Sequence, residues 1–124
     1  MTAVEDLVAF LRARIGEDEV VARGAAGAAA GPWTWDRGEF SPPLVYGNSM
    51  VGVVGSGDVD IDDEIGAHVA RWDPARVLVE CAAKQLIVAE AAEQAPYLES
   101  WEDVLTRLAL PYADHPDYRA EWRP

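Results

Sequence analysis

The side chains best placed to do chemistry in this chain are the carboxylates Asp58, Asp60, Asp62, Asp63 and Glu64, crowded into one stretch with no base among them. Hard cations such as calcium take clustered carboxylate oxygens, and Asp58, Asp60 and Asp62 have the alternating spacing with which an EF-hand loop begins. The rest of that loop is missing, because the template needs glycine where Asp63 stands and glutamate where Val69 stands. The same acids suit the start of a helix, where each interacts with the positive end of the dipole by about 0.3–1 kcal/mol. That structural role is the expectation. His68 and His115 belong to no His-x-x-x-His or Glu-x-x-His array, so both read as structural histidines rather than zinc ligands. Cys81 sits between Glu80 and Ala82, and an acidic neighbour in apolar surroundings disfavours the reactive thiolate. Ser56, between Gly55 and Gly57, falls one residue short on each side of the Gly-x-Ser-x-Gly nucleophile elbow. Residues 52–57 lack the Gly-Lys-Ser/Thr ending of a phosphate loop, and the acids that follow would repel phosphate. No catalytic residue, metal ligand or cofactor is assigned. The tryptophans Trp33, Trp35, Trp72, Trp101 and Trp122 are the remaining candidates: a wall of them lines a ligand pocket or builds a core. The candidate ligand or partner surface is accordingly Trp33, Trp35 and Trp72 with Asp60, Asp62, Asp63 and Glu64.

These residues must be positioned by local structure that the pattern makes readable. Thr2 and Glu5 form a Thr-x-x-Glu capping box, and Val4, Leu7, Val8, Leu11 and Ile15 follow at helical spacing. That helix is expected over residues 3–22 or a little beyond. Glycines at 24, 27 and 31 among alanines predict a weak helix or flexible connector over 24–31. Trp33-Thr34-Trp35 alternates as a half-buried strand does, and Leu44-Val45-Tyr46 and residues 50–54 are further β-rich runs joined by Gly47-Asn48-Ser49. Asp36-Arg37-Gly38 reads as a turn, and Pro42 and Pro43 as the start or edge of a strand. A helix then begins in the acidic block, with Ile61, Ile65, His68 or Val69, and Trp72 near one face. Asp73-Pro74 is the strongest local signal, an N-cap followed by proline in the first helical position. It predicts a helix over 74–94, apolar almost all round apart from Arg76, Glu80 and Lys84. Such a helix belongs at the centre, packed on two sides, or at a subunit contact. Ser100 and Asp103 predict another capping box, with Pro111 ending that helix. Tyr118 and Trp122, four apart, suit a last turn docking on the core. The expected fold is α+β: one domain over residues 1–124, a two- to three-stranded antiparallel sheet packed with three to four helices.

Composition narrows the partners. The chain has 124 residues, half of them apolar, and 22 acids against 10 bases give a net charge of −12. That field disfavours direct contact with nucleic acid or anionic membranes and allows a basic protein partner. No apolar run is long enough to span a bilayer, and Glu5 and Asp6 near the N-terminus do not suit a signal peptide. A lone cysteine forms no internal disulfide and fits a reducing cytoplasm.

Four segments carry a resemblance: DLVAFLRARIGEDE, GPWTWD, HVARWDPARVLVECAAKQLIV and LALPYADHPDYRAEWRP. They resemble a family of small uncharacterised proteins found in actinobacteria and their phages, with residues 36–60 unmatched. Trp72 stands where the resemblance would put histidine before Asp73-Pro74. The resemblance implies a bacterial or prophage cytoplasmic setting and carries over no catalytic residue. Three functions are weighed in this order: a non-enzymatic interaction or regulatory module, including a homodimer through residues 74–94; an acidic DNA mimic; and a small-molecule binder with a tryptophan-lined pocket.

Overall fold

The computed structural model describes residues 2–37, 44–53 and 59–124. In chain order they form α1 (Ala3–Ala28), β1 (Thr34–Asp36), β2 (Leu44–Tyr46), β3 (Met50–Val53), α2 (Val59–Arg71), α3 (Pro74–Gln94) and α4 (Ser100–Ala109), with 3-10 helices at Leu110–Tyr112 and Ala120–Trp122. The fold is α+β, with four α-helices and a three-stranded antiparallel sheet among the described residues. The chain divides into two compact units, Met1–Asp18 with Glu80–Pro124, and Glu19–Val79. Gly38, Pro42, Pro43, Val54, Gly55, Ser56, Gly57 and Asp58, on which several readings fell, lie outside the described residues.

In the first unit the capping box forms as read: Thr2 N–H donates to the Glu5 carboxylate at 2.7 Å, and Glu5 N–H donates to Thr2 Oγ1 at 3.1 Å. The apolar stripe of α1 is buried through Leu7, Val8, Phe10, Leu11 and Ile15. The same unit also buries Cys81, Val88 and Ala91 of α3, Leu105 and Ala109 of α4, and Trp122. α4 starts differently from expectation. Glu99 is its N-cap without a side-chain cap, and Ser100 is already helical, so the Ser100–Asp103 box does not form. The preceding turn removes the need for it: Trp101 N–H donates to Leu98 O and Glu102 N–H to Glu99 O, which satisfies donors a cap would otherwise serve. Pro111 lies in the 3-10 turn that succeeds α4, where its missing N–H forbids further α-helical bonding.

In the second unit the strands run in the order β1-β2-β3, with Trp35 opposite Val45 and Val45 opposite Gly52. Residues 47–49 close the β2–β3 hairpin, Gly47 N–H donating to Ser49 O at 2.9 Å. The end of α1 is tied to this loop, since Asn48 N–H donates to Ala30 O and Ser49 Oγ donates to Ala28 O. α1 therefore continues past residue 22, and Gly24 and Gly27 are helical rather than part of a connector. Surrounding alanines and the burial of Ala22 and Ala29 outweigh the roughly 1 kcal/mol that each glycine costs a helix.

α2 packs on β1 and β2, and it does so with a face other than the one its apolar residues outline. Ile65 and Trp72 are 46% and 42% exposed, and His68 is exposed, whereas Asp62 and Gly66 are buried. The cause is Gly66: the Trp35 indole lies where a Cβ at that position would be. A glycine, invisible to a hydrophobic pattern, thus sets how the helix meets the sheet. α3 begins as read, with Asp73 Oδ1 accepting from Arg76 N–H at 2.9 Å. No helix among the described residues is long and apolar enough to cross a membrane.

Candidate functional site

The surface proposed from the sequence lies in the second unit, and its residues take separate sets of partners. Trp33 donates its backbone N–H to Asp73 Oδ2 at 3.1 Å and its indole Nε1–H to Ala29 O at 2.7 Å. Trp35 donates its Nε1–H to Asp63 Oδ1 at 2.8 Å, and the other oxygen of Asp63 pairs with Arg37 at 2.7 Å. Asp62 is buried and Glu64 is exposed, while the side chain of Asp60 lies outside the described residues. Trp72 is open to solvent and stacks under Arg76, whose guanidinium carbon is 4.3 Å from the ring centroid. With Ala67, His68 and Arg71 it lines a shallow depression of about 340 Å³. The structure brings Trp35 to Asp63, Trp33 to Asp73, and Trp72 to His68 and Arg76.

A second constellation, unanticipated apart from the docking of Tyr118 and Trp122, occupies the first unit. Phe10 of α1 is ringed by Tyr112, His115, Tyr118 and Trp122, with centroid separations from 4.9 to 6.5 Å. The edge-on pairs of Phe10 with Tyr112 and Tyr118 contribute about 0.5–1.5 kcal/mol each beyond area burial. Arg14 lies over the Phe10 ring, bonds the His115 imidazole and pairs with Glu17 at 3.0 Å. Arg119 covers the Trp122 indole and pairs with Asp6 at 3.0 Å. Tyr112 donates its hydroxyl proton to Asp18 at 2.8 Å. Burial first, then the bond to Asp18 and the charge of that carboxylate, push the Tyr112 phenol well above its ordinary value.

A groove of about 270 Å³ runs beside this cluster, lined in part by Phe10, Arg14, Asp117, Arg119 and Trp122. Its arginines suggest an anion site, but the geometry opposes one. Both guanidinium groups already face carboxylates of the chain. Arg14 Nε, Tyr118 Oη and Trp122 Nε1, the buried side-chain polar atoms without a hydrogen-bond partner among the described residues, are sealed from solvent, so a ligand in the groove cannot reach them. The cluster is a latch that fastens the chain's last residues to α1. No single residue type in the sequence marks it, since its halves lie about a hundred positions apart.

The third feature is the outer side of α3. Val79, Leu86 and Ile87 are 70%, 73% and 39% exposed, and Ala82, Ala83 and Ala89 between and beyond them are exposed too. The buried side is narrow, formed by Cys81, Val88 and Ala91. The apolar pattern of 74–94 predicted a helix packed on two sides or at a subunit contact; among the described residues its outer side is exposed.

A model of a family described as "Family of unknown function (DUF6221)" matches residues 4–124. The chain belongs to this family. No curated protein and no solved structure matches it. The family match takes in both halves of the DUF6221 domain's aromatic latch as well as α3. Among the described residues of the DUF6221 domain, no group of three or more histidine, cysteine or carboxylate side chains is arranged to hold a metal ion. Its carboxylates at 63 and 73 serve tryptophans and a helix start, and its one cysteine is buried.

Proposed function

We propose that this DUF6221 domain is a non-enzymatic protein-interaction module and that its contact surface is the outer face of α3. The supporting observation is the row Val79, Leu86 and Ile87, large aliphatic side chains left in water along one helix, with Ala82 and Ala83 the exposed positions between Val79 and Leu86. A single exposed leucine is ordinary, but a contiguous apolar strip is a mark of an interaction site. Covering it returns about 25 cal/mol for each Å² of apolar surface removed from water. A non-enzymatic role suits the polar residues singled out from the sequence, because Asp63, Asp73 and His115 are engaged in holding the fold. The lone, buried Cys81 suits a reducing cytoplasm, and the bacterial or prophage setting follows from the segment resemblance.

The test is a Leu86→Glu variant, which places a charge in the strip without touching the buried side of α3. It should keep its secondary structure and melting temperature while its self-association, or its capture of a partner from host extract, falls by about tenfold or more. Retention of both at wild-type strength would refute the reading.

A further inference from the structure

Resting on the interaction reading of α3, we infer that the occupant of its outer face is a second copy of the same chain, packed with its own α3 antiparallel. Along the helix, Arg76, Val79, Ala83, Leu86, Glu90 and Glu93 recur at alternating intervals of three and four, the a/d seam of a helix pair, and all six are exposed. The seam is charged oppositely at its two ends, Arg76 at the first turn and Glu90 with Glu93 at the last. A parallel pair would set Arg76 on Arg76 and glutamate on glutamate. An antiparallel pair sets each basic end on an acidic one, twice, as the two-fold symmetry of a homodimer requires.

The side-chain sizes select the same arrangement and fix its register. When Ala83 of one copy faces Leu86 of the other, Val79 faces Glu90, and Arg76 faces Glu93. Large side chains then lie on small ones throughout the middle, and Val79 lies along the aliphatic stem of Glu90. Arg76 is already steadied by the Trp72 indole at 4.3 Å, so it loses little freedom in meeting a carboxylate. Trp72 and Arg76, types enriched where interfaces concentrate their energy, therefore flank each end of the seam.

The experiment is sedimentation equilibrium on the full chain and three variants, each checked for an unchanged circular dichroism spectrum. Wild type should dimerise. Arg76→Glu and Glu93→Arg should each weaken dimerisation by about tenfold, because each turns two attractions into two repulsions. An equal mixture of the two variants should recover it, since in the mixed pair both ends are again opposite in sign. A parallel pair has like charges facing at both ends in the wild type and in either variant, so loss of association in each variant alone, followed by its recovery on mixing, marks the antiparallel arrangement. A dimer indifferent to both substitutions, or one that mixing does not rescue, overturns the arrangement. A wild type monomeric at about 1 mM overturns self-pairing altogether. In that case Leu86→Glu, assayed for capture of another protein, tells whether the interaction reading stands alone or falls with it.

Discussion

Glycine acts in opposite senses at different points of this chain, and the difference lies in what a methyl group would meet. A Cβ on Gly66 would run into the Trp35 indole, whereas one on Gly24 would meet nothing within 4 Å. Both residues are helical, so alanine gains about 1 kcal/mol of helix propensity at either. At Gly24 that gain stands alone, and Gly24→Ala should stabilise the chain by about 0.5–1 kcal/mol. At Gly66 the indole must move off α2 and loosen its bond to Asp63, an overpacking cost of about 1–3 kcal/mol. Gly66→Ala should therefore destabilise on balance. Urea unfolding of the two variants checks both signs, and a Gly66→Ala protein as stable as Gly24→Ala would show that Trp35 does not rest on α2. Gly47 resembles Gly66, since a Cβ there would meet Ala30 O and the Trp33 ring.

At the scale of elements, Asp73 joins two of them at once. One carboxylate oxygen caps α3 through Arg76 N–H, and the other accepts from Trp33 N–H next to β1. With only 8% of the residue exposed, neither donor finds water easily once the carboxylate is gone. Asp73→Ala should cost about 0.5–2 kcal/mol for the cap and about 1–3 kcal/mol for the stranded Trp33 amide. Asp73→Asn, which keeps one acceptor, should lose roughly half as much. Thermal unfolding followed by tryptophan fluorescence measures both, and equal losses would mean that only one of the two bonds matters. The first of these roles was legible in the sequence, because Asp-Pro is a local signal and a cap acts on its own helix. The second was not, because forty positions separate Asp73 from Trp33. The same division explains the rest. The start of α1, the strands around residues 33–53 and the span of α3 follow from spacing and turn residues. The facing of α2, the aromatic latch and the backbone turn that starts α4 follow from contacts or local geometry that residue type does not encode. Of the candidate surface, Trp72 is exposed, whereas the N–H groups of Trp33 and Trp35 are bonded within the fold.

For the whole molecule the decisive quantity is charge. Each copy carries −12, so two copies repel before their helices meet. The repulsion acts over distances that salt screens well, since the Debye length shrinks from about 30 Å at 0.01 M to about 8 Å at 0.15 M. The attractions proposed at the seam behave differently. The aliphatic contacts are insensitive to moderate salt, and exposed Arg–Glu pairs are worth only about 0–1 kcal/mol each. Dimerisation through α3 should therefore strengthen as salt rises over that range, a shift that sedimentation equilibrium at fixed pH will register. A basic protein partner drawn by the acidic surface would show the reverse slope, as would a DNA mimic seated in a basic groove. The sign of the salt dependence thus separates a surface that works by its apolar strip from one that works by its charge, and weakening of the dimer with added salt would rule out the former.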